Sequence, residues 1–385
     1  MKFLYLGAVA LIMMGCTTVD QSVDKTVDQW RALNNSKRTF EVKTAWVRQT
    51  TYKENLGFRK INRMTPLLVG DLVIQGNGMD SISAYSRTDG QLKWKLPVKN
   101  GAEPSATMIR DRLFVGASDG NFYSIEASTG RVQWTFPTKS ENLSEPLLDD
   151  GVVYFLAGNN VLYALDAATG RQVWLYSRQD TSVFSIRGGS KPAVRNGVLY
   201  IGFSDGSLVA FNAKTGAVAW ELQLNRNKRF RDIDASPILD GDQIYIAGYD
   251  DKLYAVSAAK GEVLWRVDQG GYSSVTVAAD KIYYPTTSGE VLALNKTNGQ
   301  TVWSFKVKDG IATQVKLFKG ILTFGESQGH LQFLDAGTGQ PLGSMEPGRG
   351  ILSSPQVDET ANRVYFISGE ANLYAVDAQW VRSNY

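Results

Sequence analysis

The chain has 385 residues, of which 43% are hydrophobic, so it is long enough to bury a large core. Lysine and arginine total 41 while aspartate and glutamate total 38, and this near balance gives no electrostatic reason to expect a nucleic-acid partner. One cysteine and one histidine exclude an internal disulfide, a CxxCH haem attachment and a cysteine-rich zinc site. We therefore expect neither a cofactor nor a metal.

The first residues have the pattern of an export signal. Met1-Lys2 gives a short positive start, and the apolar run from Phe3 to Met14 is too short to span a bilayer as a helix. The run ends at Gly15-Cys16, which resembles a bacterial lipoprotein signal, in which the cysteine becomes the lipid-carrying first residue. An ordinary secretory signal with an incidental cysteine is the alternative, but the sole cysteine lies at this position. We expect a signal peptide over residues 1–15.

The residues after the cysteine indicate a destination and a tether. Thr17 stands where lipoproteins that stay in the inner membrane carry an aspartate, so the resemblance implies the periplasmic face of the outer membrane. Acyl groups on Cys16 would hold the chain there. Residues 16–40 are polar and lack an apolar period, which predicts a flexible tether. Residues 41–385 are predicted to form one folded domain.

The sequence of this domain repeats with a period near forty residues. Ala127–Trp134 and Ala167–Trp174 are near copies, in which a turn glycine precedes a tryptophan by four residues. Each copy follows two alternating apolar segments, so each repeat has room for four short antiparallel strands. Stacking such sheets in a ring buries both faces, which predicts an all-β propeller. We interpret the recurring tryptophans as packing residues between blades: Trp46, Trp94, Trp134, Trp174, Trp220, Trp265 and Trp303.

Eight positions begin a repeat, from Thr65-Pro66 to Ser354-Pro355, and they indicate eight blades. The eighth repeat passes Ala378 and stops before a full outer strand with its own Thr-Gly turn. Upstream of the first repeat, Glu41–Val47 has the pattern of the missing strand. We predict that this N-terminal strand completes the last blade and closes the ring, which removes exposed sheet edges.

The repeat also resembles that of pyrroloquinoline quinone enzymes, which are eight-bladed. Those enzymes need a calcium-bound quinone, and many carry a vicinal disulfide and a haem domain that this composition excludes. His330 occupies the position of Asn121 in the second repeat and has no partner histidine, so we interpret it as a surface or turn residue. Asp166 recurs as Asp335 and Asp377, which indicates a turn cap. We predict that the protein is not an enzyme.

Two neighbouring connections between blades are longer than most others. From tryptophan to the next repeat start, those into blades four and five span 18 and 17 residues, against 10 or 12 into blades two, three, six and seven. The first contains Phe184, Ile186 and Arg187, a composition expected of an interface hot spot, and the second contains Asp232 and Asp234. Both connections are predicted on one face, side by side, as a partner-binding surface. Alternatively, they pack on each other, with Arg187 paired to Asp232 or Asp234.

Together, the signal, tether, eight repeats and both connection motifs resemble the BamB family, lipoprotein subunits of the outer-membrane β-barrel assembly machinery. The family pattern apolar-Ser-aliphatic-Arg-Gly matches residues 184–188, with Phe184 where an aliphatic residue is usual, and Asp-aliphatic-Asp matches residues 232–234. The resemblance implies that Phe184, Ile186 and Arg187 bind the periplasmic domains of BamA. Asp232 and Asp234 would support Arg187 or pair with a basic group of BamA.

The implied function is that of a scaffold which assists the folding and insertion of outer-membrane proteins. Blade edges could also bind extended client strands by β-augmentation. Two alternatives remain open: a periplasmic propeller that binds a small ligand in its channel, and a scaffold of another envelope complex. Tight binding of quinone with calcium would favour the first alternative. Absence of BamA from a pull-down would favour the second.

Overall fold

The structure, a computed structural model, describes residues 38–52, 61–178, 189–225, 232–233, 235–249 and 252–382. The chain divides into a smaller unit, Met1–Glu41 with Trp380–Tyr385, and a larger unit, Val42–Gln379. In the smaller unit, the rings of Phe40 and Trp380 meet edge to face with centroids 5.4 Å apart. None of the described residues forms a helix of the length and apolar character that a bilayer span requires. The predicted signal peptide and Cys16 lie outside the described residues.

The described residues form eight four-stranded sheets, each of which is one predicted blade. The strands of blades one to four are β2 (Leu67–Val69), β3 (Leu72–Gly76), β4 (Ser81–Ser86) and β5 (Leu92–Pro97); β6 (Thr107–Ile109), β7 (Arg112–Gly116), β8 (Asn121–Glu126) and β9 (Val132–Pro137); β10 (Leu147–Asp149), β11 (Val152–Leu156), β12 (Val161–Asp166) and β13 (Gln172–Ser177); and β14 (Ala193–Arg195), β15 (Val198–Gly202), β16 (Ser207–Asn212) and β17 (Val218–Gln223). Successive strands within each blade pair in the antiparallel direction.

Blades five to eight repeat this arrangement. Their strands are β18 (Ile238–Asp240), β19 (Gln243–Ala247), β20 (Leu253–Ser257) and β21 (Val263–Val267); β22 (Thr276–Val277), β23 (Lys281–Pro285), β24 (Glu290–Asn295) and β25 (Thr301–Lys306); β26 (Lys316–Phe318), β27 (Ile321–Gly325), β28 (Leu331–Asp335) and β29 (Pro341–Met345); and β30 (Gln356–Asp358), β31 (Arg363–Ile367) and β32 (Asn372–Arg382), with β1 (Arg38–Gln49). The prediction of an eight-bladed all-β propeller is therefore confirmed.

The position of a strand in its blade sets its burial. The first strands of neighbouring blades contact each other, as β14 contacts β18, and these short strands are half-buried around the ring axis. The second and third strands carry the core, in which side chains such as Leu199 and Phe211 are fully buried between adjacent blades. The fourth strands form the outer rim and alternate exposed with half-buried residues. The surface that a partner or ligand can reach therefore lies on the rim, in the channel and on the connections.

Each tryptophan of the repeat packs on the turn glycine of the following blade. At Gly170, for example, φ is +72° and an added Cβ would lie 2.7 Å from the ring of Trp134. The Trp134 indole N–H also donates a 3.2 Å hydrogen bond to the carbonyl oxygen of Ala167 in the next blade. Glycine is therefore required twice, for the left-handed backbone and for the close approach of the ring. The interpretation of the tryptophans as packing residues is confirmed.

The N-terminal strand closes the ring as predicted. β1 pairs with β32 in the order β1-β32-β31-β30, and it begins at Arg38, three residues before the expected boundary at residue 41. Trp46 of β1 donates to the carbonyl oxygen of Arg87 at 3.1 Å and covers Gly90, as the other tryptophans do at their seams. In blade seven the position of the tryptophan is taken by Gly343, so the seam to blade eight lacks this ring.

The recurring aspartate caps its turn in two of the three predicted places. The Asp166 carboxylate accepts from the backbone N–H of Thr169 at 2.7 Å, and Asp335 accepts from that of Thr338 at 2.8 Å. Asp377 instead pairs with Arg363 at 2.6 Å. The prediction of a cap at Asp377 is wrong because blade eight continues into the long β32 and has no Thr-Gly turn.

Candidate partner-binding site

One of the five residues of the predicted partner-binding surface lies in the described part of the chain. It is Asp232, and its side chain is fully buried. Phe184, Ile186, Arg187 and Asp234 lie outside the described residues. The structure therefore describes only the two ends of each long connection, and most of the predicted site residues lie between those ends.

The connection into blade four leaves the rim at a fixed arginine. Arg178, directly after β13, forms ion pairs with Asp205 and, at 2.6 Å, with Glu221. Its guanidinium lies 5.4 Å from the ring centroid of Phe203, within the range of a cation–π contact. Because Asp205, Glu221 and Phe203 all belong to blade four, Arg178 ties the start of the connection to the blade that it enters.

The electrostatics of Arg178 support this structural role. Burial alone would lower the pKa of the guanidinium, but its hydrogen bonds with Glu221 and Asp205 outweigh burial and raise the pKa above its ordinary value. Two carboxylates and an aromatic face already occupy the side chain. We therefore assign Arg178 to holding the connection rather than to contacting a partner.

The connection into blade five is held by the Asp-Ile-Asp segment. The Ile233 side chain is buried between blades four and five. Its backbone N–H donates to the carbonyl oxygen of Phe203 at 3.2 Å, and the carbonyl oxygen of Asp232 accepts from Tyr249 at 3.3 Å. A Cβ added to Gly202 would lie 2.5 Å from the Ile233 side chain, so the glycine makes room for this contact.

The bond made by Ile233 is a repeated feature of the ring, which we call the connection anchor. In it, a backbone N–H of the connection donates to the carbonyl oxygen of the residue that follows the second strand of the preceding blade. The pairs and distances are Ala102 to Asn77 at 2.9 Å, Asn142 to Ala117 at 3.2 Å, Ile233 to Phe203 at 3.2 Å, Gly271 to Gly248 at 3.0 Å and Ile351 to Glu326 at 2.8 Å. The long connection into blade five thus keeps the attachment of the short ones.

The far ends of the two long connections touch each other. The Ser190 hydroxyl donates to the carbonyl oxygen of Ala235 at 3.3 Å, and the backbone N–H of Lys191 donates to the Ser236 hydroxyl at 2.9 Å. Both connections therefore reach blades four and five on one face and side by side. Whether Phe184, Ile186, Arg187 and Asp234 form one surface stays a prediction.

The same face carries the mouth of the central channel, a cavity of about 350 Å³. Its lining is polar and includes Arg63, Glu103, Glu145, Tyr272 and Gln314. Beside it the Lys191 ammonium lies 2.5 Å from the Glu145 carboxylate and forms an ion pair with it. This cavity is where the alternative of a small channel ligand would have to place its binding site.

The outer rim presents apolar side chains next to sheet edges. The fourth strands of blades one to six each carry at least one exposed aliphatic residue: Leu92, Val132, Val173, Leu175, Val218, Val263, Leu264 and Val302. Each of these strands pairs with the third strand alone in its own sheet, so its other edge has backbone groups available for pairing. The rim is therefore the part of the described surface that fits an added strand.

Metal-ligating side chains come together in blade seven, which the sequence did not predict. Asp309, Glu326 and His330 place one ligand atom each within 4.8 Å of the others. Asp309 is distant in sequence from the other two, and it joins them only through the fold of the connection into blade seven. The pair Glu326 and His330, four residues apart, was the one signal available beforehand.

A ring of eight four-stranded blades, with tryptophan–glycine seams and anchored connections, defines the chain as an eight-bladed β-propeller. The family model described as "Outer membrane protein assembly factor BamB" matches residues 78–305. A relative of that name from Legionella pneumophila (strain Paris) is 34% identical over 377 residues, which cover 95% of this chain and 97% of the relative. The chain belongs to the BamB family of outer membrane protein assembly factors.

Solved structures agree on the fold. The crystal structure of BamB from Moraxella catarrhalis superposes with a TM-score of 0.74 at 20% identity and covers 88% of this chain and 100% of that one. A europium-containing methanol dehydrogenase superposes with a TM-score of 0.72 at 13% identity, over 87% of this chain and 93% of that one. The propeller architecture is thus shared by assembly factors and by enzymes, so fold alone does not assign the function.

Proposed function

We propose that the chain is a non-enzymatic, lipid-anchored scaffold of the outer-membrane β-barrel assembly complex. Cys16, after a signal peptide over residues 1–15, carries the lipid, and residues 16–37 tether the propeller, which begins with β1 at Arg38, to the periplasmic face of the outer membrane. Membership in a family of outer membrane protein assembly factors carries this proposal. A chain with one histidine and one cysteine also offers few groups for catalysis.

The scaffold docks on BamA through the two long connections. Phe184 and Ile186 supply the apolar centre of the contact, and the Arg187 guanidinium supplies paired hydrogen bonds to a carboxylate. Asp232 acts within the propeller, because its side chain is buried, and Asp234 supports Arg187 or meets a basic group of BamA. The anchor at Ile233 favours this arrangement, since it gives the extra residues a rigid base.

Arg187→Ala tests the docking surface. We expect the affinity for the purified periplasmic domains of BamA to fall about 30-fold, which is the effect of losing a hot-spot residue. Arg349→Ala is the matched control, because Arg349 is an exposed arginine in the connection into blade eight. Equal affinity of wild type and the folded Arg187→Ala protein would remove Arg187 from the site.

The rim supplies a second contact, to extended segments of unfolded outer-membrane proteins. Exposed aliphatic residues beside unpaired strand edges support binding by strand addition. A photo-crosslinker at Val173 or Leu175 of β13 should capture a client peptide, and one at Asp150, in the turn between β10 and β11, should not. Crosslinks that map to connections and never to fourth strands would contradict this contact.

A further inference from the structure

We propose that blade seven holds a site for a divalent transition-metal ion such as Zn²⁺, formed by Asp309, Glu326 and His330. Their ligand atoms lie within 4.8 Å of one another, and the His330 Nδ1 lies 3.6 Å from the nearer Glu326 carboxylate oxygen. That distance is too long for a hydrogen bond but close to the ~3.4 Å that separates two ligands on one tetrahedral zinc ion.

The His330 Nδ1, which faces the cluster, makes no hydrogen bond with the described residues. This nitrogen is also buried from solvent. A buried, unpaired imidazole nitrogen is costly, and a metal ion would satisfy it. On the other side of the ring, Nε2 lies 4.0 Å from the Glu346 carboxylate. A carboxylate behind a histidine is the usual support of a metal-binding imidazole, and Glu346 lies on the correct side of the ring but beyond hydrogen-bond distance.

The Glu326 carboxylate is fully buried and already oriented for binding. One of its oxygens accepts from the backbone N–H of Lys308 at 3.2 Å and from the Gln332 amide at 3.1 Å. The other oxygen accepts from the backbone N–H of His330 at 3.1 Å and faces the imidazole. These bonds fix the direction of the oxygen that a metal would take.

The electrostatic balance of the cluster calls for a cation. Glu326 is fully buried and Asp309 is half-buried, yet neither forms an ion pair with a lysine or arginine in the part of the chain that the structure describes. Two carboxylates that face each other with only a neutral imidazole beside them repel, and a divalent ion between them removes the repulsion. One imidazole with two carboxylates suits Zn²⁺ or Mn²⁺ better than Ca²⁺ or Mg²⁺, which prefer oxygen ligands alone.

The backbone is shaped to let the ligands approach. A Cβ added to Gly329 would overlap the Glu326 carboxylate and would lie 2.9 Å from the Cβ of Asp309. The backbone N–H of Gln328 donates to the Asp309 carbonyl oxygen at 3.2 Å, which joins the loop to the connection. Asn121 and Glu290 hold the position of His330 in blades two and six, so the combination belongs to blade seven.

The metal would strengthen the seam that lacks a tryptophan. The Glu326 carbonyl oxygen accepts the connection anchor from Ile351, which leads into blade eight. Gly343 leaves the seam between blades seven and eight without the ring that other seams have. An ion held by Asp309, Glu326 and His330 therefore ties the connection into blade seven to the β27–β28 loop, whose Glu326 backbone anchors the connection into blade eight.

Zinc titration of the full-length protein in detergent, after removal of metals with EDTA, tests the site. We expect one equivalent of Zn²⁺ at pH 7.5, and affinity at least about 10-fold weaker in His330→Ala and in Asp309→Asn. Glu290→Gln, which changes the corresponding position of blade six, should bind as wild type does. A free Zn²⁺ concentration of about 100 times Kd should raise the unfolding midpoint by about 5 °C.

His330 is the only histidine of the chain, which gives a second readout on the unchanged protein. Zn²⁺ should slow its modification by diethylpyrocarbonate, because the modified nitrogen is then a ligand or lies beside one. If His330→Ala does not fold, Asp309→Asn and this protection decide the matter. Absence of saturable binding below about 1 mM Zn²⁺, unchanged affinity in a folded ligand variant, or no protection of His330 would each overturn the site.

Discussion

The connections into blades three and five end in the same way but differ in length. The first reaches its anchor residue, Asn142, five residues after β9 ends at Pro137, and the second reaches Ile233 ten residues after β17 ends at Gln223. A Cβ on the glycine below each anchor, Gly116 or Gly202, would collide with the anchor residue. The extra residues therefore lie between two fixed points of the chain.

The two connections share the anchor bond that attaches them to the ring and differ in the residues before it. The short connection uses its polar residues inside, as Asn142 donates from its amide to the Thr138 hydroxyl and to the Asn121 carbonyl oxygen, both at 3.0 Å. The long connection keeps the anchor and has five more residues before it, and we assign this difference to residues 226–230, which lie outside the described part of the chain. A repeat scaffold can carry such an insertion because each blade depends chiefly on its neighbours.

The seams below both connections should be equally important. We expect Trp134→Ala and Trp220→Ala each to lower the free energy of unfolding by about 3 kcal/mol, because each removes a ring packed on the glycine of the next blade. Denaturant unfolding measures the loss, and Val132→Ala, on the exposed side of the same rim strand as Trp134, should change it by less than about 0.5 kcal/mol. If only one of the two substitutions lowered the free energy of unfolding, the two seams would not contribute equally to stability.

The anchor of the long connection should matter almost as much. Ile233→Ala should lower the free energy of unfolding by about 3 kcal/mol, because its side chain is buried between blades four and five. Val218 of blade four is exposed and provides the control, because its replacement by alanine should not change the free energy of unfolding. A loss below about 1 kcal/mol for Ile233→Ala would show that Ile233 does not anchor the connection and belongs with the inserted residues.

Lys316, the first residue of β26, should have a smaller effect on the free energy of unfolding, and that effect should depend on pH. Burial lowers the pKa of the Lys316 ammonium; the Glu145 carboxylate offsets part of this effect and Lys191 adds to it. Burial of the charged ammonium therefore costs stability at neutral pH. Between the lowered pKa and the ordinary pKa of lysine, the unfolded chain binds more protons than the folded chain, so the cost fades as pH rises.

Lys316→Met should therefore stabilise the protein by about 1 kcal/mol at pH 7. Thermal unfolding at a series of pH values should show this advantage shrinking above the lowered pKa of Lys316. Lys306→Met is the control, since Lys306 lies exposed on the rim strand β25. A constant advantage at all pH values would mean that packing, and not charge burial, causes the gain.

Much of the fold could be predicted because the same pattern of strands, turn glycine and tryptophan recurs in successive repeats. The spacing from turn glycine to tryptophan gave the blades, and Glu41–Val47 matched the strand that β32 lacks. Asp377 broke the rule because no turn follows it, and its carboxylate found Arg363 instead. Local pattern fails where the chain stops repeating.

The sites were harder to predict because their residues meet only through long-range packing. Sequence assigned Asp232 to support Arg187 or to pair with a basic group of BamA, and it gave no sign that the side chain would be fully buried beside the anchor at Ile233. His330 follows the β27–β28 turn, in line with its interpretation as a surface or turn residue, but the approach of Asp309 through the connection into blade seven was not predicted. Neither the burial of Asp232 nor the approach of Asp309 has a signal in its own neighbourhood of the sequence.

Deleting residues 226–230 tests most directly whether the long connections serve the partner rather than the ring. Affinity for the periplasmic domains of BamA and the midpoint of thermal unfolding should be measured on the same preparation. We expect an affinity at least about 30-fold weaker, with a midpoint within about 2 °C of wild type. A folded deletion variant that binds BamA as tightly as wild type would contradict it.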